Sequence, residues 1–359
     1  MACQARDDRG ILGVNSQIPL TVVIPAYRRE RYLEEAVQSV LDNDLARTAY
    51  EIVLVAEGVT PHLVRKLEDL GVRVITGDAP SVGDMLATGV AAARGEVVAF
   101  LDDDDRFHPG KLRTVMEAFA DPKLVFYHHA YRRISADGEP IAGPSEFKPG
   151  NVRYSLPVPW GGVGHMRRLG AFYNCSSIAV RRSALLGQLP ALRKVTNAQD
   201  FALFLLLTPP GDALVDGSKV LVDFRTHVSQ GTHILQGDAL PAPHLKFLEG
   251  TVRSFETIRK SASTPGGRTF ALCREESYDT LLWTMTGRAN GNGHAPWIRS
   301  FHAILGNIRE RDIRNAAILA FLVGLSGISR RAARRFYVPL KRVEMSSLGL
   351  LRLLASSAA

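Results

Sequence analysis

Apolar positions along the first two thirds of the chain fall into two alternating patterns. Short continuous runs rich in β-branched residues read as buried strands: residues 21–25, stopped by a proline, then 51–56, 72–75, 97–101 and 124–127. Between them, apolar residues recur at helical spacing. Leu33, Ala36, Val37, Val40 and Leu41 share a face of a helix over 31–41. Leu63, Leu67 and Leu70 share a face of a helix opened by Pro61, and Val82, Met85, Leu86 and Val90 follow an N-cap at Ser81 and end at Gly95. A further helix is predicted over 111–119. Strands alternating with helices predict βαβ units and a Rossmann-like, mostly parallel sheet flanked by helices.

Residues 135–174 break the alternation. They are rich in glycine, proline and aromatics and predict a long irregular lid or binding loop. Trp160 and Tyr154 in it suit either stacking on a ligand or core packing. A strand over 176–180 and a helix over 182–186 follow. Asp200 then precedes an apolar helix stopped by Pro209 and Pro210, and a last strand over 219–224 leads to Arg225, His227 and His233. From about Pro241 the pattern is helical, broken by Gly/Pro-rich stretches at 262–268 and 286–296. The expected organisation is a leader (1–18), an α/β domain (19–238) and a helical basic extension (239–359).

Charge sharpens the last boundary. The formal net charge is +8, yet residues 285–359 alone hold 12 Lys and Arg against 3 Asp and Glu. The basic excess therefore sits at the C-terminal end, with clusters at Arg330, Arg331, Arg334, Arg335, Lys341 and Arg342. Such helices suit peripheral contact with an anionic membrane, apolar face down, or form an appendage with a solvated basic face. No nucleic-acid-binding motif is visible, so no nucleic-acid partner is expected. Cys3, Cys175 and Cys273 are far apart and lack metal-ligand spacing, which fits a reducing compartment without a disulfide framework. The N-terminus has no apolar signal core, and the longest apolar run, 316–328, falls short of the roughly 20 residues that span a bilayer. A cytoplasmic protein is expected, peripheral to the inner face of the membrane at most.

The chemistry concentrates at Asp102, Asp103, Asp104 and Asp105, directly after the 97–101 strand. Four adjacent carboxylates repel one another and need a cation, protons or solvent. In open α/β sheets, ligands bind at the carboxyl ends of strands. An extended segment would point Asp102 and Asp104 one way, Asp103 and Asp105 the other. Two carboxylates on one side make a hard oxygen site for Mg²⁺ or Mn²⁺ with room for phosphate oxygens. An acidic turn capping the following helix is the plainer alternative.

Taken in order, these segments resemble the family 2 glycosyltransferases, inverting enzymes of the GT-A fold. The resemblance runs from Thr21 to about His233: TVVIPAYRRERYLEEAVQSVL looks like the opening strand, nucleotide loop and first helix, and GVAAARGEVVAFLDDDDRFHPGKL like the DxD segment. NCSSIAVRRSAL resembles the acceptor-side strand and turn, and AQDFALFLLL the segment whose aspartate is the catalytic base. The resemblance implies a metal-dependent transfer of sugar from a nucleoside-diphosphate sugar to the hydroxyl of a glycan or lipid-linked acceptor in polysaccharide, cell-envelope glycan or glycolipid synthesis. On it, Asp104 holds Mn²⁺ or Mg²⁺ with Asp102 or Asp103, the spare carboxylate meets ribose hydroxyls, and His227 lies beside the metal or diphosphate. Pro25, Ala26, Tyr27 and Arg28 make the nucleotide loop, Glu57 accepts from base or ribose, Asp200 is the base, and Asn174 and Trp160 face the acceptor. The plainer readings are a helix N-cap for Asp200, a loop histidine for His227 and a strand-ending turn at 25–28. His128 and His129 are read as strand-end histidines near the site, without metal ligation.

Three positions depart from the family's pattern. Ala56-Glu57 replaces an aspartate pair, Leu86-Ala87 an Arg-Asn, and Gln199 the glutamate before the base. These departures favour, as an alternative, a degenerate scaffold that binds a nucleotide sugar or glycan; a nucleotidyltransferase, which can share a similar fold and a metal-binding aspartate pair, is the weaker alternative because PAYRRERY lacks the glycine-rich loop expected after the first strand. The absence of G-x-G-x-x-G after the first strand disfavours a hydride-transfer enzyme.

Overall fold

A computed structural model describes residues 19–141, 150–227, 242–287, 296–309, 311–330, 332, 333, 336 and 337. The leader, His233, and the basic residues Arg331, Arg334, Arg335, Lys341 and Arg342 lie outside the described residues.

Strands β1 (Leu20–Tyr27), β2 (Tyr50–Glu57), β3 (Arg73–Thr76) and β4 (Val97–Phe100) pair in parallel in the order β3-β2-β1-β4. Helices α1 (Leu33–Leu41), α2 (Pro61–Asp69) and α3 (Val82–Ala92) connect them, as the alternating pattern predicts. The second half of the sheet is mixed. It adds β5 (Arg106–Phe107), β6 (Leu124–Ile134), β7 (Asn151–Leu156), β8 (Ile178–Arg181) and β9 (Gly211–Arg225). β8 runs antiparallel between β4 and β6, β9 runs parallel to β6, and β5 and β7 pair antiparallel with β9. Helix α4 (Lys111–Phe119) and α1 and α2 cover one face. The other face is covered by α3, α5 (Trp160–Arg168), the short α6 (Ser183–Leu186) and α7 (Leu189–Leu192), and α8 (Gln199–Leu205). Phe255 and Ile258 of α9 (Ala242–Ser261) and Phe270 and Ala271 of α10 (Pro265–Thr286) join that same core, beside Phe172 and Phe204. α11 (Pro296–Arg309) and α12 (Ile313–Ile328) complete the described chain.

Several details differ from the sequence reading. β1 does not stop at Pro25 but continues to Tyr27. Pairing of β1 with β4 ends at Val23 and Phe100, where the Leu101 N–H donates to the Val23 carbonyl (3.0 Å). Backbone groups alternate along the strand, so the donor that Pro25 lacks faces the side where β4 has already diverged. Residues 135–174 are not one loop; they contain β7, held along β9, and α5. Leu70 is 43% exposed, outside the buried face formed by Leu63 and Leu67. Gly95 does not end α3, which closes at Ala93. A Cβ on Gly95 would lie 2.6 Å from the backbone of Leu20, so glycine there permits close approach to β1.

Gly83 makes the closest such junction. Its N–H donates to the Val195 carbonyl (3.1 Å), and a Cβ would fall 2.3 Å from the carbonyls of Leu192 and Val195. This contact fixes α3 against the segment that leads into α8. Gly83→Ala is therefore expected to lower stability by about 1–3 kcal/mol, read from urea unfolding. An unchanged midpoint would mean that the junction yields.

Candidate active site

β4 delivers the aspartates to the crevice where it parts from β1. They do not stay extended. The Asp105 N–H donates to the Asp102 carbonyl (3.2 Å), and this turn replaces the expected alternation. The turn lets the carboxylates find separate partners instead of crowding two by two. Asp103 and Asp104 face Arg29, whose Nη1 donates to Asp104 Oδ2 (2.9 Å) and whose Nε and Nη2 reach the two oxygens of Asp103. Asp104 Oδ2 also meets His227 Nε2 at 2.9 Å.

Asp105 turns the other way. It accepts the Ser176 hydroxyl (2.6 Å) and the Arg225 N–H (2.9 Å), and burial followed by its aspartate neighbours pushes its pKa well up. Lys111 is fully buried and donates to the Ser176 carbonyl, with its ammonium 3.8 Å from the Phe107 ring centre. Burial pulls its pKa well down while Asp105 opposes the shift. Asp105 and Lys111 thus hold the turn together.

Arg225 is the chief clamp. Its Nε donates to the Asp104 carbonyl (2.8 Å), Nη1 to the Ala136 carbonyl (2.9 Å) and Nη2 to Glu35 of α1 (2.6 Å), and its guanidinium lies 4.3 Å from the Tyr32 ring. The Tyr32 ring also stands 5.2 Å from that of His227. The end of β9 therefore carries both the clamp and the imidazole.

Burial, then Asp104 and Asp103, push the Asp102 carboxyl up to about 8, with Arg29 opposing and Asp200 adding a smaller push. Asp103 is raised to about 7 by burial, against the pull of Arg29. Such a cluster is short of positive charge. A divalent cation fits it on these grounds: hard carboxylate oxygens, one imidazole, and one guanidinium as the counter-charge. Among the described residues, no three carboxylate, imidazole or thiolate groups converge into a ligand set. The expected trio of Asp102, Asp104 and His227 is accordingly not assembled. Asp104 and His227 are the pair in contact, which suits Mg²⁺ or Mn²⁺ held by few protein ligands and completed by phosphate oxygens.

At the end of β1, Pro25 and Ala26 are buried inside the strand and are not loop residues. The exposed tip is Tyr27, 47% accessible, with the Arg28 guanidinium 5.0 Å from its ring. Arg28 has φ +52°, donates its N–H to the Glu57 carbonyl (2.7 Å) and its Nη2 to the Glu57 carboxylate (3.1 Å). That left-handed turn sends Arg28 outward and Arg29 to the aspartates. Arg29, not Arg28, is the cation at the carboxylates; sequence reasoning missed it because adjacent arginines look alike until the turn is known. Glu57 also accepts the Ala79 N–H (2.8 Å), so it anchors the loop after β3.

On the opposite side, Asp200 is not the cap of α8. The N-cap is Ala198, at φ 61°, and makes no side-chain cap bond. Asp200 accepts the Phe201 N–H (3.3 Å) and the backbone N–H of Asn174, and burial raises its pKa to about 6. Asn174 reaches it through a positive φ of 68°. Its Oδ1 accepts the Ser176 N–H (2.9 Å), while Nδ2 is buried with no hydrogen-bond partner among the described residues. Gln199 turns to the Cys175 thiol. Trp160 starts α5 beneath the Arg309 guanidinium (4.9 Å) in the packed core, and Tyr154 meets His165 Nδ1 (2.6 Å). His128 and His129 lie inside β6, both buried; His128 meets the Tyr173 carbonyl (2.9 Å), and burial lowers it to about 4.

The aspartate turn and the buried Asp200 can be set beside known proteins. The glycosyl transferase family 2 signature spans residues 21–189. Over that segment the chain is similar to the glycosyl transferase family 2. An uncharacterized glycosyltransferase of Nostoc is 34% identical over 116 residues, 31% of this chain and 35% of that protein. A putative teichuronic acid biosynthesis glycosyltransferase of Bacillus subtilis, TuaG, is 27% identical over 128 residues, 34% of this chain and 50% of TuaG. These matches thus span a third to a half of the curated relatives' length. TarS of S. aureus, residues 1–349 solved with UDP, superposes with a TM-score of 0.54 at 15% identity, over 90% of this chain and 91% of that one. The same TarS segment solved with UDP-GlcNAc gives a TM-score of 0.54. The likeness establishes a GT-A-like fold, and the family 2 match extends through the aspartate turn to α7.

Proposed function

We propose that this protein transfers a sugar from a nucleoside-diphosphate sugar to an acceptor hydroxyl, with inversion, in the synthesis of a cell-envelope or exported glycan. The observation that carries the proposal is that two unlike carboxylate centres lie close to each other. The Asp102–Asp104 turn with His227 is short of positive charge, and Asp200 is buried near enough to raise Asp102. The TuaG match favours a glycan acceptor, and the TarS likeness favours a uridine donor.

A divalent cation bound here would offset the charge that grows on the departing diphosphate. Asp104 and His227 would hold it, and Arg29 would remain with Asp103. Tyr27 offers an exposed ring for the base, and Glu57 an acceptor for its N–H or for ribose. Asp200 would take the acceptor proton as the acceptor oxygen bonds to the anomeric carbon and the carbon–diphosphate bond breaks. Nucleoside diphosphate leaves with the bonding electrons, so one base suffices. The unpartnered Asn174 Nδ2 beside Asp200 is a donor for a hydroxyl of the acceptor.

The direct test is nucleoside diphosphate release from a panel of UDP-, GDP- and dTDP-sugars with Mn²⁺ or Mg²⁺. One donor turned over only with metal supports the proposal; donor binding without turnover in the presence of glycan acceptors favours the scaffold alternative. Failure to bind any donor overturns both.

The cation also has a signature independent of turnover. Asp102 and Asp103 have folded pKa values above the ordinary carboxylate value of about 4. The folded state therefore binds more protons than the unfolded one between pH 4 and 8, and metal-free stability falls as pH rises through that window. Mn²⁺ at about 100 times its Kd is expected to raise Tm by roughly 5 °C at pH 8 and clearly less at pH 5. Equal shifts at the two pH values would count against the cluster as the metal's seat.

A further inference from the structure

Helix α11 is built inside out. Its buried side consists of Arg299, Ser300, Ala303, Gly306 and Asn307. Arg299 pairs with Asp279 (2.6 Å), and Asn307 accepts from Arg274 (2.6 Å) and donates to Ser277 (3.0 Å), all within α10. The apolar residues face away from the protein. Trp297 is 68% exposed, Phe301 58%, Leu305 41% and Ile308 45%. Their spacings of four, four and three residues put them in one narrow stripe along the helix. A surface helix normally presents the reverse arrangement, and a contiguous outward apolar stripe marks an interaction surface. The neighbouring α12 adds exposed Ile313 and Phe321 and carries no charged residue from 315 to 328.

We propose that α11 docks the protein in the plane of an anionic lipid bilayer, with Trp297 and Phe301 seated at the headgroup level. Two observations favour lipid over a protein partner. The segment bearing the stripe is the basic one, with 12 Lys and Arg against 3 Asp and Glu over residues 285–359. Exposed Arg309, Arg311 and Arg330 bracket α11 and α12, where lipid phosphates would meet them. Tryptophan at the end of an apolar stripe matches the interfacial position that indole prefers. Among the described residues, no helix is long and apolar enough to cross a membrane, so the contact is in-plane. The inference does not depend on the transferase proposal, because no donor or acceptor enters it.

The test is flotation of the full chain with vesicles of phosphatidylcholine alone and with added phosphatidylglycerol, at low and high salt. Binding to the anionic vesicles is expected, weakened by salt, with Trp297 emission quenched by brominated lipid. Phe301→Ser with Leu305→Ser should reduce partitioning at least about tenfold. Both side chains point outward, so thermal unfolding of the double variant should match the parent; should it not, the quenching of Trp297 in the unsubstituted chain decides. Unchanged flotation of a folded double variant would overturn the assignment of this face. Absence of vesicle binding overturns the proposal, and a concentration-dependent dimer dispersed by the double variant would give the stripe to a second copy instead.

Discussion

Asp104→Ala is expected to lower metal-dependent donor turnover by roughly 10³-fold, equivalent to the several kcal/mol that a metal contributes to leaving-group departure. Asp104 is the residue in contact with both His227 and Arg29 (2.9 Å each), so its loss would remove half of the proposed metal-holding pair. The fold should survive, because Arg225 grips the Asp104 carbonyl, not its side chain. The Mn²⁺-dependent rise in Tm should vanish with it. Asp104→Asn keeps the shape while removing the charge and should fail almost as badly; near-native activity in that variant would show that charge at this position is not what the reaction uses.

Asp200→Asn should cost roughly 10²–10⁴-fold in transfer to acceptor and leave donor affinity nearly unchanged. A base acts only when deprotonated. With its carboxyl raised to about 6, Asp200 should give a transfer rate that is flat above about pH 7 and falls about tenfold per unit well below 6. The asparagine variant should lose that limb of the profile. A wild-type rate still flat down to pH 4 would mean that another group takes the proton.

Much of this was legible in the chain because hydrophobic period reports directly on local structure. The parallel half of the sheet, the helix start at Pro61, the cap at Ser81 and the run of aspartates after β4 all follow from pattern and order, whereas His227 and Asp200 were singled out by the family resemblance. What was not legible depended on backbone turns or on distant partners. A single positive φ at Arg28 decides which arginine meets the aspartates. The turn at Asp102–Asp105 exists because Ser176 and Arg225 stand ready to receive Asp105, and neither is near it in sequence. Pro25 looked like a strand stop, although its missing donor faces a gap that only the divergence of β4 creates. The buried Lys111 and the outward stripe of α11 carry ordinary residues in unusual surroundings; composition cannot report which way a side chain points.

The clamp at Arg225 has a consequence for the order of assembly. Asp105 and Arg225 are 120 residues apart, and Asp104 and His227 are 123 apart. Contacts over such separations close late, because the chain entropy of the intervening loop is lost before they form. During synthesis, the four aspartates emerge long before the guanidinium that organises them. Until β9 is made, the nascent chain holds four aspartates at the tip of an otherwise complete parallel sheet, with Arg29 but not yet Arg225 or His227 to meet them. The crevice is therefore a late product of folding, and the sheet that frames it can stand before the site can act.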